Sequence, residues 1–345
     1  MSVITIVGAG QMGSAMSFPA RTNGHEVRLV GTPLDREIID RARQDGYHIN
    51  LKRTLPEGVR YYQFEEMPQA LRGADLLIGG VSSFGVDWFC DSVLTAIPES
   101  LPVLSVTKGL VGLPDGSLMT YLDLYRQRLG DRKLRLNAVG GPCTSYELAD
   151  LDPTTVCFCG EDAALLRQLR DMLRTDYYHI SVSTDVLGVE CAVALKNAYA
   201  LGISLAIGLA ERREGVGRQH YNSQAALFGQ SVKEMRRLLE HYGAGADNIV
   251  FGAGDLYVTV FGGRTRLIGT LLGRGLSFEQ AMGELRGVTL ESVVIATRAA
   301  AAVRRKIALG QLRGEDFPLL LHCDDIINRG CEVNIPWRAF EEDWA

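Results

Sequence analysis

The chain has 345 residues, 46% of them hydrophobic, enough to bury a sizeable core and to make about two domains. A formal charge of −5 and the lack of any long lysine or arginine run exclude a nucleic-acid footprint, Arg304-Arg305-Lys306 reading as the polar end of a late helix. No charged leader precedes the first apolar run, and the apolar stretch 192–209 is interrupted by Lys196, Asn197 and two glycines, so a cytoplasmic protein without membrane contact is expected. The seven scattered cysteines read as free and mostly buried thiols, Cys157-Phe158-Cys159 being a strand alternation rather than a metal knuckle, and no metal is expected.

Residues 3–7 form an apolar β run, followed by Gly8-Ala9-Gly10-Gln11-Met12-Gly13, a helical stretch over 14–23 and a second β run at 26–30. That is the setting of a dinucleotide fingerprint. Gly8 permits the tight turn, Gly10 lets the backbone approach a pyrophosphate, and Gly13 lets helix and strand pack closely. Where the second run ends, an acid commonly reads the adenine ribose, but here the chain has Val30-Gly31-Thr32-Pro33. Asp35 can still reach a ribose hydroxyl, and Arg36 or Arg28 a 2′-phosphate, which leaves the cofactor as NAD or NADP.

Residues 75–81 and 102–106 are apolar runs of the kind found in buried parallel strands. Their C-terminal ends carry Ser82-Ser83-Phe84 and Thr107-Lys108-Gly109, where an open parallel sheet holds its ligand, so Lys108 is a candidate for an anionic or carbonyl substrate. The strand at 137–139 ends in Gly140-Gly141-Pro142-Cys143-Thr144-Ser145, a second glycine loop offering backbone N–H groups. Runs at 156–159 and 178–182, with a helix at 162–174 between them, complete the alternation. From 184 onward the pattern is helical only. The expected fold is therefore α/β, an N-terminal Rossmann-type doubly wound, mainly parallel sheet plus an all-helical C-terminal domain, divided as 1–183 and 184–345.

The first long element of the second domain, residues 188–202, is apolar on nearly every face and carries one charge beyond its first turn, Lys196. A buried ammonium is costly to keep without a partner or a task, so Lys196 and Asn197 are candidate site residues, the alternative being a lysine that snorkels from a partly exposed face. Further helices are expected at 225–242, 277–285, 290–305 and 317–328. The intervening stretch 251–266 contains Asp255, several hydroxyls, Arg264 and Arg266, and its glycines read as a relaxed backbone around them.

Five motifs in order resemble the NAD(P)-dependent glycerol-3-phosphate dehydrogenase family over nearly the whole chain: the Gly8 to Gly13 turn, Ser105-Val-Thr-Lys-Gly-Leu110, Gly141-Pro142 followed by Glu147, Gly188-Val-Glu-Cys leading to Leu195-Lys196-Asn197, and Gly254-Asp255-Leu256 with Thr259 and Gly263-Arg264. The resemblance implies an enzyme that interconverts glycerol 3-phosphate and dihydroxyacetone phosphate. It makes Lys196 the general acid/base and brings Lys108 to substrate and cofactor. Asn197, Asp255 and Thr259 would hold the glycerol part, with Gly141 and Thr265 beside them, and Arg264 would grip the phosphate. On the cofactor side it implies Gly8, Gly10, Gln11, Met12, Gly13, Thr32, Lys108, Ser145, Arg264 and, at the nicotinamide end, Glu291.

The chain also departs from the family pattern. It has Thr265 where an asparagine is usual, Cys143-Thr144-Ser145 after Gly141-Pro142, and an altered stretch over 287–292. Another polyol phosphate, a 2-keto acid, or a nucleotide sensor without turnover are the alternatives. The expected partner is a small phosphorylated substrate, with a homodimer through the helical domain.

Overall fold

A computed structural model describes residues 1–288 and 290–343; Thr289, within the altered stretch 287–292, lies outside the described residues. Eight strands, β1 (Val3–Val7), β2 (Glu26–Val30), β3 (Val59–Tyr62), β4 (Leu76–Gly79), β5 (Val103–Ser105), β6 (Leu136–Gly140), β7 (Thr154–Gly160) and β8 (Tyr178–Ser183), form one sheet. Their order is β8-β7-β6-β5-β4-β1-β2-β3. Every pair is parallel except β6 with β7. Strands covered on both faces read as continuous apolar runs, and Ile4, Ile6, Leu29, Ile78, Leu104 and Phe158 are accordingly all fully buried.

The order of the strands determines where a ligand can bind. From β1 the chain moves outward through β2 to β3, then returns to lay β4 on the other side of β1, with Val7 opposite Val30 on one side and Gly79 on the other. The turn after β1 therefore opens at the switch point of the sheet, beside the turn after β4. The helix that follows starts earlier than expected and is broken, Gln11–Ala15 and then Ser17–Thr22. Pro19 has no N–H to give to the Ala15 carbonyl and its ring crowds that group, so one continuous helix cannot form.

The chain divides into two compact units, Met1–Lys108 with Thr120–Glu190, and Gly109–Met119 with the residues from Cys191 onward. Among the described residues the second unit is helical apart from a hairpin, Leu110–Gly112 with Leu118–Thr120, whose last residue falls in the first unit. Arg298 donates to the Leu110 carbonyl (2.7 Å) and the Tyr242 hydroxyl to that of Gly116 (2.8 Å), which holds the hairpin among the helices.

The helix Val186–Glu214 runs unbroken for 29 residues. It contains Lys196 and Asn197 as expected; against the expectation that they leave no apolar run of spanning length, it is long and apolar enough to cross a bilayer, but 89% of that apolar window is buried, as in a core helix. Its neighbours explain Gly252 and, beyond 251–266, Gly269 and Gly273. The stretch expected as relaxed backbone belongs mostly to two helices, Ile249–Phe261 and Arg264–Gly273, and is open only at the Gly262-Gly263 joint between them. A methyl group at Gly252 would stand 2.6 Å from the Ala192 carbonyl oxygen, at Gly269 2.6 Å from that of Leu201, and at Gly273 2.2 Å from that of Leu205. The glycines form a seam along which backbones touch.

A buried acid pins the same unit. Glu234, in Tyr221–His241, is fully buried and accepts from the Leu319 and Leu320 amides (2.8 and 3.0 Å) and from Gln230 (2.7 Å). It thereby caps the helix Pro318–Arg329, whose own first residues offer no side-chain cap.

Candidate functional site

Two glycine turns meet at the switch point of the first unit. Gly8 has φ +108°, and a methyl group there would stand 2.7 Å from the Gly80 carbonyl carbon; one at Gly13 would stand 2.2 Å from the Gly8 carbonyl oxygen. Both positions require glycine for the protein's own packing. Gly10 differs, because a methyl group there would be no closer than 3.6 Å to anything, at the Gly80 oxygen. The fold does not need glycine at 10, so the space it leaves is space toward a ligand. Gly8, Gly10, Thr32, Asp35, Phe84 and Trp88 are among the residues lining a cleft of about 470 Å³ there, and these residues fit a nucleotide: backbone at the turn and aromatic rings further out.

The ribose end is built differently from the expectation. Asp35 directs one carboxylate oxygen, Oδ2, to three donors of the protein itself, the Ala9 amide (3.1 Å), the Thr32 amide (2.8 Å) and the Thr32 hydroxyl (2.8 Å). Thr32 is thus fixed to the glycine turn. Arg28 is committed elsewhere, to Glu26 and to the carbonyls of Ala70 and Arg72, and Arg36 is paired with Glu65. Of the remaining fingerprint residues, Gln11 turns its amide to the Asn50 carbonyl (2.8 Å), while Met12 packs on the apolar core and has only its backbone to offer a ligand.

Three residues escaped sequence reasoning. Gly80 follows β4, and a methyl group there would meet the Gly13 Cα at 2.6 Å; the doublet Gly79-Gly80 at the end of an apolar run was its signal. His48 is fully buried and bonds the Ala9 carbonyl oxygen (2.9 Å), with no local pattern to mark it. Trp88 lines the cleft from the helix after β4.

On the sheet's other side of the switch, Lys108 donates to the Gly141 carbonyl (2.8 Å), which brings together two residues expected at the substrate. Gly141 has φ +113°, a conformation glycine tolerates and other residues rarely adopt. Ser145 is buried at the start of the helix Ser145–Ala149.

In the second unit Lys196 has its partner. Its Nζ stands 2.6 Å from Oδ1 of Asp255, with 13% of the lysine side chain and 1% of the aspartate exposed. A carboxylate that close favours the ammonium form, which offsets the cost of burying it. Thr259, one turn on, bonds back to the Asp255 carbonyl (2.7 Å), and Asn197 is buried beside the lysine in sequence.

Arg264 is exposed at the first position of Arg264–Gly273, with Thr265 buried behind it. The N-cap residue of that helix is Gly263, with φ +84° and no side chain to cap it, so backbone amide donors and a guanidinium are joined at one helix start, a site suited to phosphate. Glu291 opens the helix Glu291–Ala308.

Comparison with known proteins agrees with these features. A family described as NAD-dependent glycerol-3-phosphate dehydrogenase matches with its N-terminal part over residues 3–166 and its C-terminal part over residues 185–336. An NADP(+)-dependent glycerol-3-phosphate dehydrogenase of Archaeoglobus fulgidus is 34% identical over 290 residues, 83% of this chain and 85% of that protein. A glycerol-3-phosphate dehydrogenase [NAD(P)+] of Lactobacillus delbrueckii is 27% identical, covering 96% of this chain and 95% of its own. The fold is similar to that of a glycerol-3-phosphate dehydrogenase from Plasmodium falciparum, with a TM-score of 0.82 at 20% identity over 99% of this chain and 96% of that one. For the enzyme of Coxiella burnetii the TM-score is 0.79 at 22% identity, over 98% and 97%.

Proposed function

Because the chain belongs to the NAD-dependent glycerol-3-phosphate dehydrogenase family, we propose that it interconverts glycerol 3-phosphate and dihydroxyacetone phosphate, with Lys196 as its general acid/base and NAD or NADP as its cofactor. The observation that carries the proposal is the buried Lys196–Asp255 pair at 2.6 Å. When bound, the nicotinamide supplies or accepts the hydride. In the reducing direction the carbonyl oxygen gathers negative charge and needs a proton, which the Lys196 ammonium, kept charged by Asp255, delivers; in the oxidising direction the neutral amine takes it back. Asn197, Asp255 and Thr259 hold the glycerol part, and Lys108 adds a positive charge for the anionic substrate.

Arg264, with the amides at its helix start, receives the phosphate, and its planar fork orients the substrate through atoms remote from the reacting carbon. Thr265 offers a shorter polar group than the asparagine usual in the family, which leaves part of the phosphate to water. Gly8, Gly10, Gly13 and Thr32 hold the nucleotide, with Ser145 and Glu291 serving the cofactor as well. A homodimer is the assembly we favour, since Val250, Tyr257 and Phe261 lie exposed along one stripe of Ile249–Phe261; sedimentation as a monomer at micromolar concentration would remove that part.

Oxidation of NADH and NADPH in the presence of dihydroxyacetone phosphate tests the reading. Lys196→Ala is expected to abolish turnover with nucleotide binding intact. Arg264→Ala is expected to raise KM for dihydroxyacetone phosphate by about 2–4 kcal/mol of binding while leaving the poor reaction with dihydroxyacetone unchanged. Equal losses on both substrates would make Arg264 structural, and a wild type that reduces 2-keto acids but not dihydroxyacetone phosphate would replace the substrate.

A further inference from the structure

We propose that His48 is a positioning residue of the nucleotide site, drawing the Ala9 carbonyl inward so that the Gly10 N–H is turned to the open side of the glycine turn. The proposal rests on reading that turn as the nucleotide site. His48 is fully buried and uses both ring nitrogens, since Nδ1 accepts from the Leu51 amide (2.9 Å) and Nε2 lies 2.9 Å from the Ala9 carbonyl oxygen. Accepting from an N–H requires Nδ1 to be bare, so the proton is on Nε2 and is donated to Ala9. Burial holds the imidazole below its usual pKa and keeps it in this neutral form, against the opposing pull of its hydrogen bond to Ala9 and, more weakly, of the Asp35 carboxylate.

The geometry of a peptide bond carries the rest. The Ala9 carbonyl and the Gly10 N–H belong to the same trans unit and point in opposite directions, so fixing one aims the other. The preceding unit is fixed as well, for the Ala9 N–H donates to Asp35 Oδ2 (3.1 Å), the atom that also holds Thr32. Ala9 is clamped through both of its backbone groups, by residues 39 positions away on one side and 26 on the other. Among the described residues no backbone acceptor takes the Gly10 N–H, and Gly10 lines the cleft. The donor is thus held ready before any anion arrives, and the binding step does not have to order it.

Two substitutions separate this role from support of the local turn. In His48→Asn the side-chain oxygen takes the place of Nδ1 and can still accept from the Leu51 amide, but the shorter side chain cannot reach Ala9. In His48→Gln the longer amide reaches the Ala9 oxygen. Binding of NADH and NADPH to the full chain, followed by fluorescence titration alongside thermal unfolding, is expected to weaken on the order of 3- to 10-fold in His48→Asn, the worth of one neutral hydrogen bond, and to recover most of that in His48→Gln. The KM for dihydroxyacetone phosphate should stay unchanged. Wild-type affinity in His48→Asn, or equal weakening in both variants, overturns the proposal. Unweakened binding in Gly10→Val is a different failure, since it would remove the nucleotide reading on which the proposal stands.

Discussion

Substituting alanine at Gly10 and at Gly13 should separate what the glycine turn does for the fold from what it does for the cofactor. At Gly13 the new methyl carbon would stand 2.2 Å from the Gly8 carbonyl oxygen and 3.0 Å from the Gly80 Cα, against the 3.4 Å or more of an ordinary contact. Backbone must move by about 1 Å to admit it, and overpacking of that kind costs about 1–3 kcal/mol or more. At Gly10 the nearest atom is 3.6 Å away and the backbone sits at φ −69°, ψ 174°, where alanine is unstrained. Gly10→Ala should therefore be neutral or stabilise by up to about 1 kcal/mol through the unfolded chain. Its effect on nucleotide binding should be the reverse, a loss of roughly 10-fold or more, because the methyl group takes the space a pyrophosphate would occupy. Thermal unfolding with and without NADPH reads both quantities in one experiment. A Gly10→Ala protein that melts as early as Gly13→Ala, or that is protected by NADPH as fully as wild type, would refute the reasoning.

Removing the carboxylate in Asp255→Asn should lower kcat with nucleotide affinity intact, because the buried Lys196 loses the partner 2.6 Å from its Nζ; an unchanged kcat would mean that the pair does not serve the proton transfer. Burial raises Glu234 to about 7 and Glu190 to about 8, so in each case the folded protein keeps a proton that the unfolded chain has released above about pH 4.3. That contribution is present below the unfolded pKa and is lost as pH rises through 7 to 8, at about 1.4 kcal/mol per pH unit and group, so the unfolding midpoint should fall from pH 5 to pH 8 and fall less steeply in Glu234→Gln. Gly273→Ala should destabilise the helical unit by about 1–3 kcal/mol, measured by denaturant unfolding, since its methyl group would meet the Leu205 carbonyl oxygen at 2.2 Å.

What could be read from the sequence was what lies within one turn or one strand. The Gly8 to Gly13 fingerprint is local, and so is the contrast between an apolar helix and the single lysine inside it; both are where they were expected. Gly252 differs from the loose backbone expected over 251–266 because its reason lies in another segment, the Ala192 carbonyl, as that of Gly269 and Gly273 lies in the Leu201 and Leu205 carbonyls, and nothing in their own neighbourhood distinguishes a helix seam from a loose loop. The same holds for Asp35 and His48. Each acts on Ala9 from a distance in sequence, and only the assembled sheet brings them to it.

The hairpin of the helical unit imposes a delay on the growing chain. Leu110 waits for Arg298, 188 positions later, and at about 5–20 residues per second the ribosome needs roughly 10–40 s to make that partner. Throughout that interval the strands Leu110–Gly112 and Leu118–Thr120 are a two-stranded ribbon without the helix that covers them, and such ribbons are marginal alone. The nascent sheet thus matures around a segment that belongs elsewhere, which makes residues 109–119 the stretch on which a holdase chaperone would have longest to act, and the one most exposed to protease if synthesis stalls before Glu291–Ala308 emerges.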